Sequence, residues 1–77
     1  AELRIPADSS VVGRLGAELD DDAEKADVLI LGLIRAHERF DSGVRYMRLA
    51  AGDVIVVKGA ADGLAAFMRA TGLSELP

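Results

Sequence analysis

The sequence predicts a small α+β domain with the element order β-α-β-β-β-α, in which the helices pack on a mainly antiparallel sheet. Residues 49–59, LAAGDVIVVKG, are typical of a turn that leads into a buried strand and stops at a glycine. A helical pattern follows immediately over residues 60–71. Short loops between the last three predicted strands favour antiparallel pairing, because parallel strands need a long crossover connection.

The size and composition indicate one small globular domain that pairs with itself. The chain has 77 residues, no Cys and a net charge of −4. A domain of this size buries only about 60% of the surface that its unfolded chain exposes, and neither a disulfide nor a thiolate metal site can offset that deficit here. We therefore expect a homodimer. The acidic balance argues against nucleic acid as a partner, because nucleic-acid-binding proteins collect positive charge on one face.

The first strand and first helix are predicted from alternation and from helix capping. Residues 2–5 alternate polar and apolar side chains, and Pro6 ends this strand. Good N-cap residues at 8–10 then predict a helix with apolar side chains on one face. Those side chains are Val11, Val12, Leu15 and Leu19. Within this helix, Gly13 and Gly16 are expected to allow the close approach of another backbone.

An acidic stretch and an apolar stretch follow. Residues 20–24, DDDAE, are interpreted as a solvated connector, and their spacing does not match a calcium-binding EF-hand loop. Residues 27–34 are apolar on both faces, which is typical of a central strand covered on each side. One of the two sides is expected to face a partner subunit.

The second half contains two further strands and the last helix. Residues 44–49 alternate as a strand with one apolar face, and residues 54–57 are β-branched throughout. In the last helix, Leu64, Phe67 and Met68 form a stripe that is interpreted as core. Gly72 is predicted to terminate that helix in a left-handed conformation, and Leu73 to pack beyond it.

The residues that could perform chemistry are few. The chain has one His and no Cys, and it contains no glycine-rich phosphate-binding motif. His37 is followed by Glu38, but adjacent residues on a strand point to opposite faces. We therefore predict that the protein has no catalytic residue and no metal site.

Basic residues around the central strand suggest an anion site. Arg35, His37 and Arg39 lie on one side of the segment if it is extended, since the side-chain period of a strand is two. Such a row either binds a small anionic ligand or protects an exposed sheet edge from unwanted pairing. Arg14, near the predicted first helix, is a weaker candidate. Asp53 is interpreted as a turn residue that hydrogen-bonds its own loop.

The order of short motifs along the chain resembles a known family. Ile5-Pro6 is followed by SVVGR at 10–14, LIR at 33–35, LAAGDV at 49–54, Gly59 and a closing amphipathic helix. Over residues 3–73 this order is similar to the TrkA C-terminal domain, also called the RCK C-terminal domain. The segment ATGL at 70–73 looks most like copies embedded in ion-coupled anion transporters.

The resemblance implies a regulatory domain without enzymatic activity or cofactor, on the cytoplasmic side of a potassium or cation uptake system, a channel or a sodium-coupled anion transporter. Such domains form dimers, and some bind a small ligand, cyclic di-AMP in certain potassium systems. We expect residues 1–77 to be one such domain, cut from a larger protein. Its partner is then a membrane-embedded transporter or channel part, in the same chain or a separate subunit.

Two departures from the family pattern concern the ligand. Residues 41–48 contain no Pro, unlike many relatives, and the acidic segment at 20–24 is unusual. The resemblance therefore assigns no nucleotide contact residue by residue. A structural assembly domain that binds no ligand is the alternative function.

Overall fold

The structure is a computed structural model that describes residues 1–76. In chain order its elements are β1 (Glu2–Arg4), α1 (Gly16–Lys25), β2 (Leu29–Arg35), β3 (Glu38–Phe40), a 3₁₀ helix (Val44–Tyr46), β4 (Val54–Lys58), α2 (Ala61–Thr71) and β5 (Ser74–Glu75). In this part of the chain no helix is both long enough and apolar enough to traverse a bilayer. The predicted α+β class is confirmed.

The strands form one antiparallel sheet in the order β3-β2-β4-β1-β5. The β-branched strand β4 lies at its centre, between β1 and β2, as expected for the most apolar strand. Both helices pack on one face, where their buried side chains join those of the sheet in a single core. The fully buried larger side chains of this core include Leu3, Leu19, Leu33, Ile55 and Phe67.

The predictions for the last helix are confirmed. α2 ends at Thr71, and Gly72 follows with φ of +76° and donates its N–H to the Met68 carbonyl. Phe67 is fully buried, while Leu64 and Met68 are partly buried against the same core. Leu73, just beyond the cap, is also buried. The sequence predicts this helix correctly because its hydrophobic stripe and its C-terminal glycine lie in the same short segment.

The first helix lies later in the chain than predicted, so the acidic connector was a wrong interpretation. α1 begins at Gly16 and contains the whole of residues 20–24. It is amphipathic, since Leu19 and Ala23 are buried and the acidic side chains occupy the opposite surface. Glu18 reaches back to accept the Leu15 N–H at 3.0 Å and so supplies the N-terminal cap.

Residues 9–14 form turns because their polar groups have partners elsewhere. The Ser9 hydroxyl donates to the Thr71 carbonyl at 2.6 Å, at the end of α2, and does not cap a helix of its own. Gly13 has φ of +86°, which a helix cannot contain. Gly16 does allow close approach, as expected: a methyl group there would lie 1.9 Å from the Val44 carbonyl oxygen. The same expectation for Gly13 is wrong, because a methyl group at Gly13 would meet no atom within 4 Å.

The strand predicted at 44–49 is also wrong. Gly43 enters a left-handed conformation with φ of +76°, and Val44–Tyr46 then forms a 3₁₀ turn against α1. The extended residues that follow pair outside the main sheet, with Leu15 opposite Arg48. The apolar alternation reflects burial of Leu49 and partial burial of Val44 and Met47 in the core. Alternation alone does not specify which backbone a segment pairs with.

β2, which the sequence predicts to be the central strand covered on each side, lies next to the central β4 and is covered by the helices on one side only. Leu33 is fully buried against the helices, but Leu29 and Leu31 are 63% and 44% exposed. A β-bulge lies between Ile30 and Gly32, where the register with β4 shifts. Within residues 1–76, no helix packs over this second face, and only the side chains of Arg39 and Asp41 lie over Gly32, so the described chain does not supply the apolar cover expected there.

Candidate functional site

At one end of the sheet, the partly exposed Arg35 forms an ion pair with the buried Asp53. Arg35 ends β2, two residues after Leu33, and Asp53 precedes β4, two residues before Ile55. The paired strands therefore direct both side chains to the helix-bearing face. Arg35 Nε donates to Asp53 Oδ1 at 2.8 Å and Nη2 donates to Oδ2 at 2.6 Å. This is the bidentate geometry in which Arg binds carboxylates most strongly.

Asp53 also stabilises its own turn, as predicted. Its Oδ2 accepts the Ala50 N–H at 2.9 Å, three residues earlier in the LAAGD segment. The Asp53 side chain is only 3% exposed, whereas that of Arg35 is 38% exposed. Hydrogen bonding to Asp53 raises the pKa of Arg35 above its ordinary value, against the opposing effect of partial burial. Arg35 therefore carries a permanent charge with one side open to solvent.

Two further arginines belong to the segments joined at this corner. Arg35 Nη2 also donates to the Arg48 carbonyl at 2.8 Å. Arg48 Nη1 in turn donates to the Gly13 carbonyl at 3.1 Å, and the Leu49 N–H donates to the Arg14 carbonyl at 2.8 Å. We call Arg14, Arg35 and Arg48 the arginine corner. Arg14 and Arg48 are exposed, and Glu38 lies opposite Arg35 on β3, so the segments that meet here contain three arginines together with the carboxylates of Asp53 and Glu38.

Arg48 is the residue that sequence reasoning missed. Residues 44–49 are predicted to be a strand of the sheet, and because that strand does not form, the sequence pattern does not group Arg48 with Arg35. Its position just before the LAAGD segment is the available signal, because that turn contains the Arg35 partner Asp53. Arg48 meets Arg35 and Gly13 only through contacts between residues distant in sequence, which the composition does not reveal.

The row of Arg35, His37 and Arg39 does not exist on one strand face, so its geometric basis was wrong. β2 ends at Arg35, and Ala36 and His37 form a tight turn with φ of +51° and +68°. β3 then runs back along β2, with Arg39 opposite Ile34 and therefore on the face away from the helices. Arg39 Nε donates there to Asp41 Oδ1 at 2.6 Å.

His37 lies at the tip of this hairpin, two residues beyond Arg35, and its side chain is exposed. Of the four predicted anion-binding residues, the structure thus brings the segments of Arg14 and Arg35 together. It leaves His37 on an adjacent turn and Arg39 on the opposite face of the sheet.

A cleft elsewhere on the domain is mainly acidic. The cleft between α1 and the start of β2 is lined by Asp20, Glu24 and Asp27, with Arg45 at its edge. Arg45 Nη1 lies 3.8 Å from Asp20 Oδ2, so part of its charge is already compensated. Among residues 1–76, no three His, Asp or Glu side chains are grouped as a metal site would require.

The family model for the TrkA-C domain matches residues 1–72. The chain belongs to the TrkA-C family. The match extends from β1 through the end of α2 and includes the whole arginine corner. The resemblance based on the order of the short motifs is therefore confirmed. No curated protein is similar to this chain in sequence.

A solved structure shares the fold of this TrkA-C domain. The RCK_C domain dimer of S. agalactiae BusR in complex with c-di-AMP is similar with a TM-score of 0.76 and 20% sequence identity. The similarity covers 90% of this chain and 84% of that chain. At this identity the comparison shows a common fold, with the two helices and antiparallel sheet arranged in the same way.

Proposed function

We propose that this chain is a regulatory domain on the cytoplasmic side of an ion transport system, where it senses a small anionic ligand and pairs with a second copy. The observation that carries the proposal is the TrkA-C family match over residues 1–72. A relative with the same fold forms a dimer in complex with c-di-AMP, which supports both pairing and a nucleotide ligand.

The arginine corner is the place that we propose for the anion. Arg35 is oriented by its bidentate bonds to Asp53 and remains partly exposed. Because Nε and Nη2 already donate to Asp53 and the Arg48 carbonyl, Arg35 would contribute its charge and its remaining N–H groups, and a guanidinium that is already held in place loses less side-chain entropy on binding. Arg14 and Arg48 lie on segments bonded to each other here, and His37 lies on the adjacent turn. Arg39, paired with Asp41 on the other face, is not included.

Regulation would operate by population shift. A ligand changes the equilibrium between two arrangements of a dimer only by the difference in its affinity for them. A transporter or channel part, in the same chain or a separate subunit, would then respond to the favoured arrangement. The transported species, whether potassium, another cation or a sodium-coupled anion, is set by that part.

Thermal unfolding followed by circular dichroism tests the ligand directly. The probes are cyclic di-AMP, ATP and KCl, each added to the isolated domain. A ligand present at 100 times its Kd stabilises the folded state by about 2.7 kcal/mol, which for a domain of this size raises Tm by about 11–22 °C. We expect a rise with cyclic di-AMP. Arg14→Ala and Arg48→Ala should reduce it, while Arg69→Ala, on exposed helix surface, should not.

A structural assembly domain without ligand is the second candidate. It is favoured by the engagement of Arg35, whose Nε and Nη2 groups already serve Asp53 and the Arg48 carbonyl. A dimer whose Tm is unchanged by all three probes would support this candidate and contradict ligand sensing. A domain that is monomeric at high micromolar concentration and binds none of the probes would contradict both.

A further inference from the structure

The face of the sheet opposite the helices carries an uncovered apolar stripe. We call it the open face and define its stripe as Leu29, Leu31, Ile34, Val54 and Val56. The last three are half-buried by their neighbours, while Leu29 and Leu31 are 63% and 44% exposed. An apolar sheet face is normally packed against another layer.

Five charged side chains lie on the open face: Lys58 is opposite Leu29 at one end, and four others flank the rest of the stripe in a regular order. On β1, Glu2 lies opposite Val56 and Arg4 lies opposite Val54. On the other side, Arg39 lies opposite Ile34. Asp41 lies over Gly32, because a methyl group on that glycine would be 3.2 Å from Asp41 Oδ1. All five charged side chains are exposed.

The register sorts these residues into two rows that cross the strands. One row is Arg4, Val54, Ile34 and Arg39, so it has a base at each end. The other is Glu2, Val56, Gly32 and Asp41, so it has an acid at each end. Between them lies the row Leu3, Ile55, Leu33 and Phe40, whose side chains point to the core on the other face.

We infer that the open face is the interface between two copies of this chain, related by a two-fold axis along the Leu3–Ile55–Leu33–Phe40 row. This inference rests on the pairing in the proposed function and specifies how it is made. Such an axis places the basic row of one protomer over the acidic row of its partner. The arrangement is self-complementary, as a two-fold interface requires.

Each contact in this arrangement is chemically favourable. Glu2 meets the partner's Arg4 and Asp41 meets the partner's Arg39, and symmetry repeats both pairs. Val54 packs on the partner's Val56, and Ile34 lies against the partner's Asp41 and the partner's Arg39 side chains, which cover Gly32. Sheets that pack face to face cross at about 30°, so the strands separate towards the rim of the interface. Long Arg and Glu side chains can bridge that separation. Depletion of charge from the centre is typical of protein interfaces.

Charge reversal on β1 tests the arrangement by sedimentation velocity over a range of concentrations. Arg4→Glu and Glu2→Arg should each weaken dimerisation about tenfold or more, because each places like charges opposite one another twice. The double variant Glu2→Arg/Arg4→Glu should regain the affinity of the parent chain. An equimolar mixture of the two single variants should form heterodimers. Arg69→Glu, the same charge change on α2, should leave the dimer unchanged.

The apolar stripe and the register have separate tests. Leu31→Asp should abolish the dimer while Val12→Asp, at a 39% exposed position outside the open face, should not. Because the chain has no Cys, Val54→Cys mixed with Val56→Cys should form disulfides between protomers faster than either variant alone. Circular dichroism of each monomer verifies that it is folded.

The outcomes separate this inference from the proposed function. A parent chain that stays monomeric would contradict the pairing itself and with it the inferred interface. A dimer that persists unchanged in Arg4→Glu, Glu2→Arg and Leu31→Asp would leave the pairing intact and show that the open face is not its interface. Weakening by Leu31→Asp without rescue in the double charge variant would overturn the two-row register.

Discussion

Arg35 and Asp53 join the end of β2 to the turn before β4 through two hydrogen bonds of 2.8 and 2.6 Å. The same pair links the LAAGD turn through Ala50 and the preceding segment through the Arg48 carbonyl. One buried carboxylate thereby fixes the positions of three backbone segments. The arginine corner is consequently both a structural joint and the proposed anion site, so its two roles need separate measurements.

Removal of Arg35 should be strongly destabilising. Arg35→Ala leaves the Asp53 carboxylate, 3% exposed, without its cationic partner. Loss of one member of a buried pair typically costs about 3–5 kcal/mol, and the partial exposure of Arg35 places this pair near about 3 kcal/mol. Urea unfolding of Arg35→Ala, Asp53→Ala and the double variant should give a coupling energy above about 1 kcal/mol. Additive losses would show that the pair is not energetically linked.

Arg35→Lys separates charge from geometry. A lysine keeps the positive charge but cannot make two parallel hydrogen bonds to one carboxylate, so we expect an intermediate loss of stability. The titration of Arg35 adds no pH dependence in the neutral range. Folding raises its pKa, so the stabilisation is fully present below the ordinary pKa of arginine and is lost only in strongly alkaline solution.

Gly16 should not tolerate a methyl group. At this position a Cβ atom would lie 1.9 Å from the Val44 carbonyl oxygen, and backbone atoms cannot move aside cheaply. We expect Gly16→Ala to cost about 3 kcal/mol or more, at the upper end for overpacking. Thermal and urea unfolding measure this loss.

Gly13→Ala is the matched control for Gly16→Ala. A methyl group at Gly13 meets no atom within 4 Å, and only its φ of +86° opposes the change. A left-handed conformation costs a non-glycine residue about 1–2 kcal/mol. Equal losses in the two variants would mean that close approach of Val44 is not what requires glycine at position 16.

The sequence predicts best those elements whose signals are local. β4 is β-branched and bounded by turns, and α2 has its stripe and its C-terminal glycine close together in the chain. The Asp53 turn was also predictable, because its hydrogen bond to Ala50 spans three residues. In each case the partners that define the structure lie within one element or one turn.

The elements that the sequence predicts wrongly are those whose hydrogen-bond partners lie far away in the chain. Ser9 looks like a helix cap, but its hydroxyl bonds to Thr71, 62 residues away. Residues 47–49 look like a sheet strand, but their hydrogen bonds go to the segment around Leu15. The predicted row of Arg35, His37 and Arg39 does not form for a related reason: it requires an extended 35–39 segment, and no Gly or Asn marks the tight turn at Ala36-His37.

Ser9 should be a stabilising link between the first loop and α2. Its hydroxyl donates to the Thr71 carbonyl at 2.6 Å and accepts the Val11 N–H at 3.3 Å. Ser9→Ala should therefore cost about 1–2 kcal/mol, because a carbonyl at the helix end loses its partner. The exposed Ser10 provides the comparison, and Ser10→Ala should change the urea midpoint little. Equal midpoints for the two variants would contradict the link.

The β2-β3 hairpin allows the fold and the ligand to be tested independently. Ala36 and His37 both have positive φ, the conformation of a type I′ turn, in which Asn-Gly is preferred. Ala36→Asn/His37→Gly should raise the free energy of unfolding by about 1–2 kcal/mol, because each new residue adopts the left-handed conformation with less strain. Urea unfolding measures the gain, and the single variant Ala36→Asn controls for the loss of the imidazole.

If His37 contacts the anion, the double variant should bind cyclic di-AMP more weakly in calorimetry although it is more stable, while Ala36→Asn binds as the parent does. Unchanged affinity in both variants would remove His37 from the site and leave the arginine corner as the proposed contact.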